Sequence, residues 1–367
     1  MSWEKRGQIE ITFNWIYIVI AGAVILLFFF SLVVKQKQVS EERLSSEVVQ
    51  IMGSILTGAG ASEKTKNFID ASGLADYVLY FSCDAGISEF GIKDKPARIQ
   101  NNIDPLFAPQ EIHSSRIVTW SLPYNLPFKV IDFLFVIPLN IKYYIIGNDA
   151  EFINEFLNST EGIEREFLIN LQEIQPEENQ QVRIIDLGGS SIPGTMVPAQ
   201  LQVLGDKEVS AVVFTGKNNV DFYQKEGAAW HKMNKAAVRI ISLAGERDAA
   251  RYAAIFSADD QTYWCNMQKA FKRLEYLTEV YGGEDIASAE PRGKLGSLID
   301  HYRNIPSSEC RSYLEDYTPN TINSLADINN KVRACRLVPE SCLGLIDAAQ
   351  TLKDLNAKLR VYCVPLY

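Results

Sequence analysis

The chain has 367 residues, 47% of them hydrophobic and 22% charged, with a net charge of −9. That composition belongs to a folded protein and leaves out the disordered, collagenous and low-complexity classes. The acidic balance, with no Lys/Arg cluster, also excludes a nucleic-acid partner, because neutralising phosphates needs such clusters.

The segment at the amino end says most. Residues 16–34 carry no charge. About 19 helical residues at ~1.5 Å each span roughly 30 Å, the thickness of a bilayer core. The sequence therefore predicts a transmembrane helix over 13–35, with the lipid bilayer as its partner and a large domain beyond it. Trp15 and Tyr17 suit an interfacial aromatic belt. The run ends in Val33-Val34-Lys35-Gln36-Lys37 without an Ala-x-Ala pattern, so no cleavage is expected behind it. Lys5 and Arg6 precede the run, and Lys35, Lys37 and Arg43 follow it. On the positive-inside rule alone this leans slightly toward a cytoplasmic carboxyl-terminal domain.

Residues 36–60 predict a juxtamembrane amphipathic helix. Ser40 is the N-cap candidate, and Glu41 and Glu42 stand in the first turn, where they favour the helix dipole. Leu44, Val48, Ile51 and Ile55 share one face, and Gly58 and Gly60 close the segment. The stripe either extends the membrane helix or packs on the domain.

Residues 61–257 alternate strand and helix signals. Apolar, β-rich runs lie at 77–81, 117–120, 128–136, 142–147, 182–187, 209–214 and 238–243, several of them ending at glycine. Helical patterns fall at 148–157 and 246–256. The expectation is an α/β fold with a largely parallel sheet. Residues 258–367 read as a helical region, with segments at 259–281, 295–302, 322–332 and 343–355. A terminal strand at 359–367 is expected to close the chain.

Six cysteines stand at Cys83, Cys265, Cys310, Cys335, Cys342 and Cys363. No pair has Cys-x-x-Cys spacing, which speaks against a zinc ribbon or a thioredoxin-type site. Cys310 follows Pro306-Ser307-Ser308-Glu309, and Cys342 follows Pro339-Glu340-Ser341. Such turn residues between helices make good staple points. Disulfides are expected among Cys265, Cys310, Cys335, Cys342 and Cys363, though six cysteines allow about 15 pairings. Free, buried thiols in a cytoplasmic domain are the alternative.

Other chemistry is sparse. His113, His231 and His301 lack metal-ligand spacing, and no metal, cofactor or catalytic residue is assigned. Gly188-Gly189-Ser190-Ser191-Ile192-Pro193-Gly194 follows a strand, as a phosphate cradle does. It lacks the Walker ending and a clean G-x-G-x-x-G, and reads better as an ordinary loop. Asn158-Ser159-Thr160 is an N-glycosylation sequon, with Asn158 the acceptor.

The basic pair Lys5-Arg6, then Gly7 and Gln8, ahead of the apolar run, resembles a class III signal peptide. That is the leader of archaeal pilins, archaellins and other prepilin-peptidase substrates. The resemblance implies cleavage between Gly7 and Gln8 by a prepilin-type peptidase, with the apolar helix kept in the mature protein. Residues 1–12 are then the leader region. The family often has an acidic residue at the fifth mature position, which here is Thr12. A plain, uncleaved signal-anchor is the other reading. The stretches Trp264-Cys265-Asn266-Met267 and Lys269-Ala270-Phe271-Lys272-Arg273-Leu274, with the closing Cys363-Val364-Pro365, resemble uncharacterised archaeal membrane-anchored proteins. That likeness implies no activity.

Two function classes follow. The first is a single-pass, membrane-anchored envelope or surface protein whose extracytoplasmic α/β domain is structural or binds an envelope partner. The second is a tethered α/β enzyme or small-ligand-binding domain, with its site at strand ends near Gly188 or Gly216.

Overall fold

The computed structural model describes residues 5–61, 64–74, 77–177, 180–216, 218–236, 238–243, 247–283, 286, 292–303, 305 and 308–367. The chain opens with one long helix, α1 (Lys5–Ala61), in which the predicted segments 13–35 and 36–60 are continuous. Small strands come next: β1 (Lys66–Asp70), β2 (Leu79–Asp84), β3 (Ile87–Ile92), β4 (Arg98–Asn101), β5 (Leu106–Phe107) and β6 (Glu111–Ile112). The central strands are β7 (Arg116–Asn125), β8 (Lys129–Pro138) and β9 (Ile141–Ile146), followed by α2 (Ala150–Ser159), β10 (Arg165–Leu168) and β11 (Gln181–Asp186). Then come α3 (Ala199–Gln202), β12 (Val209–Thr215), β13 (Asn219–Glu226), β14 (Ala229–Lys232) and β15 (Val238–Arg239). The chain finishes in α4 (Ala249–Phe256), α5 (Asp260–Gly282), α6 (Gly293–Arg303), α7 (Ser308–Leu337) and α8 (Leu343–Tyr362).

The α/β content stands, but the sheet is not largely parallel. Strands form three sheets, ordered β1-β7-β8-β5, β10-β9-β11-β12-β13-β14 and β4-β3-β2-β6, with β15 paired to β13. Among the described residues, only the run β10-β9-β11-β12 is parallel through more than two residues. Most other pairs are antiparallel, among them the hairpins β7 with β8, β12 with β13 and β2 with β3. Glycine-ended apolar runs suit a buried strand of either sense, and that is why the sequence does not separate the two.

Strand alternation sorts the side chains into three cores. Along β8, Phe133, Phe135 and Ile137 enter the main core, while Leu134 and Val136 point to the α1 side. Along β9, Tyr143 and Ile145 face the main core, and Tyr144 and Ile146 face the third cluster with Ile192 and Leu201. Burial on both faces explains why these strands read as unbroken apolar runs. Trp120, Tyr252, Phe256 and Phe156 interlock in the main core with ring centroids 5.0–6.3 Å apart.

The carboxyl-terminal part of α1 packs on the sheets through Val49, Met52, Leu56 and Ala59. The expected stripe is one residue out of phase, and Ile51 is exposed. A Cβ at Gly53 would stand 2.5 Å from Ile99 Cδ1, so the helix lies close against β4. Farther toward the amino end, Val19, Ile20 and the apolar residues at 24–30 are all exposed. The expected span over 13–35 falls partly outside the described side chains, and among the described residues no helix is long and apolar enough to cross a membrane.

The expected terminal strand is a correction. Residues 359–362 complete α8, and Cys363 is its C-cap. The tail is held by side chains instead of a ladder. Asn356 donates to the Tyr367 carbonyl and accepts from the Leu366 amide at 2.7 Å. The run expected as a strand at 238–243 shrinks to β15, and α4 begins at Ala249 rather than 246. Asp248 caps it, accepting from the Ala250 and Arg251 amides. Residues 244–246 lie outside the described residues.

Candidate functional site

The carboxyl ends of the parallel strands are where an open α/β sheet usually binds a ligand. Here that end is closed by the protein's own groups. Asp186, the last residue of β11, is fully buried. Its Oδ1 accepts from the Gly188 and Gly189 amides, both at 2.9 Å. Its Oδ2 accepts from Ser191 at 2.7 Å and Ile192 at 3.2 Å. The amides of the glycine-rich loop thus form an anion cradle, and Asp186 fills it. Gly189 makes the fold-back possible at φ +73°, where a Cβ would meet the Phe214 carbonyl at 2.9 Å. The end of β9 is equally tight: a Cβ on Gly147 would stand 2.9 Å from the Gly188 amide. Gly216 turns the chain at φ +65° with open space around it. The strand end at Gly188 is thus filled by the protein's own groups.

A cavity of about 340 Å³ lies at the opposite, amino ends of β9, β11 and β12. Sequence reasoning does not find it. Its notable group is Arg183, 6% exposed. The guanidinium donates to the Ser257 carbonyl at 2.7 Å and the Ala254 carbonyl at 3.4 Å, at the end of α4. Its Nε has no partner among the described residues. Burial lowers its pKa to about 10, against the opposing influence of Tyr143 and Asp259. A cation on the last carbonyls of a helix is favoured by the dipole. Arg183 is thus a helix cap first; the visible hint in sequence is a lone charge inside Val182-Arg183-Ile184-Ile185.

All six cysteines are bonded, as Cys83–Cys265, Cys310–Cys363 and Cys335–Cys342. Two bridges lie wholly within the helical last third, and the third ties β2 to α5. The histidines stay apart on separate elements: His113 after β6, His231 on β14, His301 on α6. Among the described residues no three His, Cys, Asp or Glu side chains gather as a metal set. Asn158 is exposed in the last turn of α2. Thr160 of the same sequon is buried and donates to the Phe156 carbonyl at 2.6 Å. Gly7 and Gln8 belong to α1; their side chains are outside those described.

Compared with known proteins, the chain matches no family model. No curated protein and no solved structure matches it either.

Proposed function

We propose that the chain is a single-pass, membrane-anchored envelope or surface protein with an extracytoplasmic α/β domain that serves as a structural or binding module. One observation carries the reading. α1 leaves an unbroken apolar stretch at 24–30 uncovered, each of its large side chains more than half exposed, while its other end is built into the domain's core. A bare apolar helix face of this kind is stable only when lipid or protein covers it. Lipid is the cover that an uncharged run of this length fits. Three disulfides support the placement outside the cytoplasm, because such bonds persist in oxidising compartments. In this reading Gly7 and Gln8 flank the site cut by a prepilin-type peptidase. The self-filled cradle at Asp186 argues against the enzyme alternative at Gly188.

Protease added to intact cells tests it. The domain beyond residue 40 should be digested without lysis. Complete protection until the cells are broken would refute the placement. The amino-terminal residue of the extracted protein, Gln8 or Met1, separates processed leader from uncut anchor.

A further inference from the structure

A cleft of about 460 Å³ opens between the β2–β3 turn, the middle of α5 and the carboxyl end of α7. Its volume falls within the roughly 300–1,000 Å³ usual for small-molecule sites. The charged side chains that line it are all cations: Lys269, Lys272, Arg333 and Arg336. In a chain of net charge −9 such a one-signed lining is not what an average surface would give.

The cations are unequally compensated. Glu275 pairs with both Arg333 and Arg336, and Glu279 pairs with Arg333 at 3.2 Å. Lys269 makes no ion pair among the described residues; the Asp104 carboxylate acts on it only through space. Its ammonium is buried and donates to Ser88 Oγ at 2.6 Å and to the carbonyls of Asn101 and Asp104 at 2.9 and 3.1 Å. All three acceptors are neutral. Burial lowers its pKa to about 8, with Asp104 opposing, so it stays mostly charged at neutral pH. Lys272, one turn on and exposed, makes no ion pair among the described residues. Lys272 thus stands at the cleft without an ion pair among the described residues, beside a Lys269 ammonium that only the Asp104 carboxylate, not bonded to it, offsets, and low-dielectric walls strengthen their field.

The walls are also fixed. Cys83–Cys265 ties β2 to α5 four residues before Lys269, and the Gly86 amide in the turn donates to Cys265 Sγ at 3.3 Å. Cys335–Cys342 clamps the end of α7 that carries Arg333 and Arg336. A site whose walls need no ordering loses little entropy when it binds.

We infer that this cleft is a binding site for a small phosphate-bearing anion, with Lys272 and Lys269 supplying the attraction and Arg333 and Arg336 the rim. The inference does not depend on the membrane anchor, because every residue it uses lies in the disulfide-bonded domain. Titration calorimetry of the full chain in detergent with pyrophosphate tests it. The wild type should show saturable one-site binding. Lys272→Glu, an exposed change that breaks no ion pair, should weaken it by about tenfold or more, whereas Lys272→Arg should keep it. Lys358→Glu on α8 carries the same change of net charge and should bind like wild type. Absence of saturable heat in the millimolar range overturns the inference. So does a Lys272→Glu protein that binds as wild type, or equal weakening by Lys358→Glu.

Discussion

Asp186→Ala empties the cradle at the end of β11 and leaves four loop amides without their acceptor. A hydrogen bond to a charged group contributes about 1.5–3 kcal/mol. Water can replace the acceptor at Gly188, Gly189 and Ser191, which are partly exposed, but not at Ile192, whose amide is buried. The expected loss is therefore about 2–4 kcal/mol, well below the sum of four bonds. Asp186→Asn should cost nearly as much, because its NH₂ would face two amide donors. Urea unfolding of the detergent-solubilised chain measures both. The emptied cradle also makes a specific demand: a small carboxylate should restore what was lost. Formate at about ten times its Kd would return about 1.4 kcal/mol to Asp186→Ala. Chloride at equal ionic strength should not, and wild type should not respond. A variant within about 0.5 kcal/mol of wild type, the scatter of an ordinary surface change, would refute the view that Asp186 organises this loop.

Replacing Cys310 and Cys363 by Ser opens a loop of 53 residues and should cost about 4 kcal/mol in urea unfolding, by the chain-entropy scale. The helical last third should lose protection from hydrogen exchange before β9 and β11 do; simultaneous loss would disprove separate stapling. Lys269 is held with a pKa near 8, below its ordinary value, because burial disfavours its charge. Between pH 8 and 10.5 the unfolded chain binds more protons than the folded one at this residue, so its contribution to stability rises with pH there and is least favourable below pH 8. Lys269→Met should lack that rise, and parallel stability curves for the two proteins from pH 7.5 to about 9.5 would contradict it.

Much of the fold is readable where burial is two-sided. The run at 128–136 announces β8 because Phe133, Phe135, Leu134 and Val136 all need apolar neighbours. The helix at 259–281 shows its phase and is α5 to within a residue at each end. Polar but buried strands stay hidden. β13 carries Asp221 and Lys225, and neither looks like core. Their charges are met from elsewhere: Lys225 by Asp206 at 2.6 Å, Asp221 by Asn234 and Lys232. No local pattern encodes partners that far apart. The closing run 359–367 misleads in the other direction, since Val361 and Tyr362 are β-formers that sit exposed on a helix. Context outweighs propensity there. Bonding among the five cysteines of the last third is legible, but the part of Cys83 and the pairing are not, because Cys83 and Cys265 meet only after a stretch of chain with a sequence separation of 182 has folded. At the cleft the one trace was phase: Lys269 lies four residues after Cys265 and three after Asn266, on the inward side of α5.

The 57 residues of α1 also make it a lever. At ~1.5 Å per residue the rod is about 85 Å long. Its fulcrum is the stretch from Val49 to Ala59, gripped by the sheets. A tilt of about 5° there swings the far end by roughly 6 Å, and a push at the far end returns to the grip with the same mechanical advantage. No turn or loop interrupts the helix to absorb the motion. Whatever holds the amino end therefore sets the attitude of the whole domain, and a single glycine pair placed near residue 40 would be enough to uncouple them.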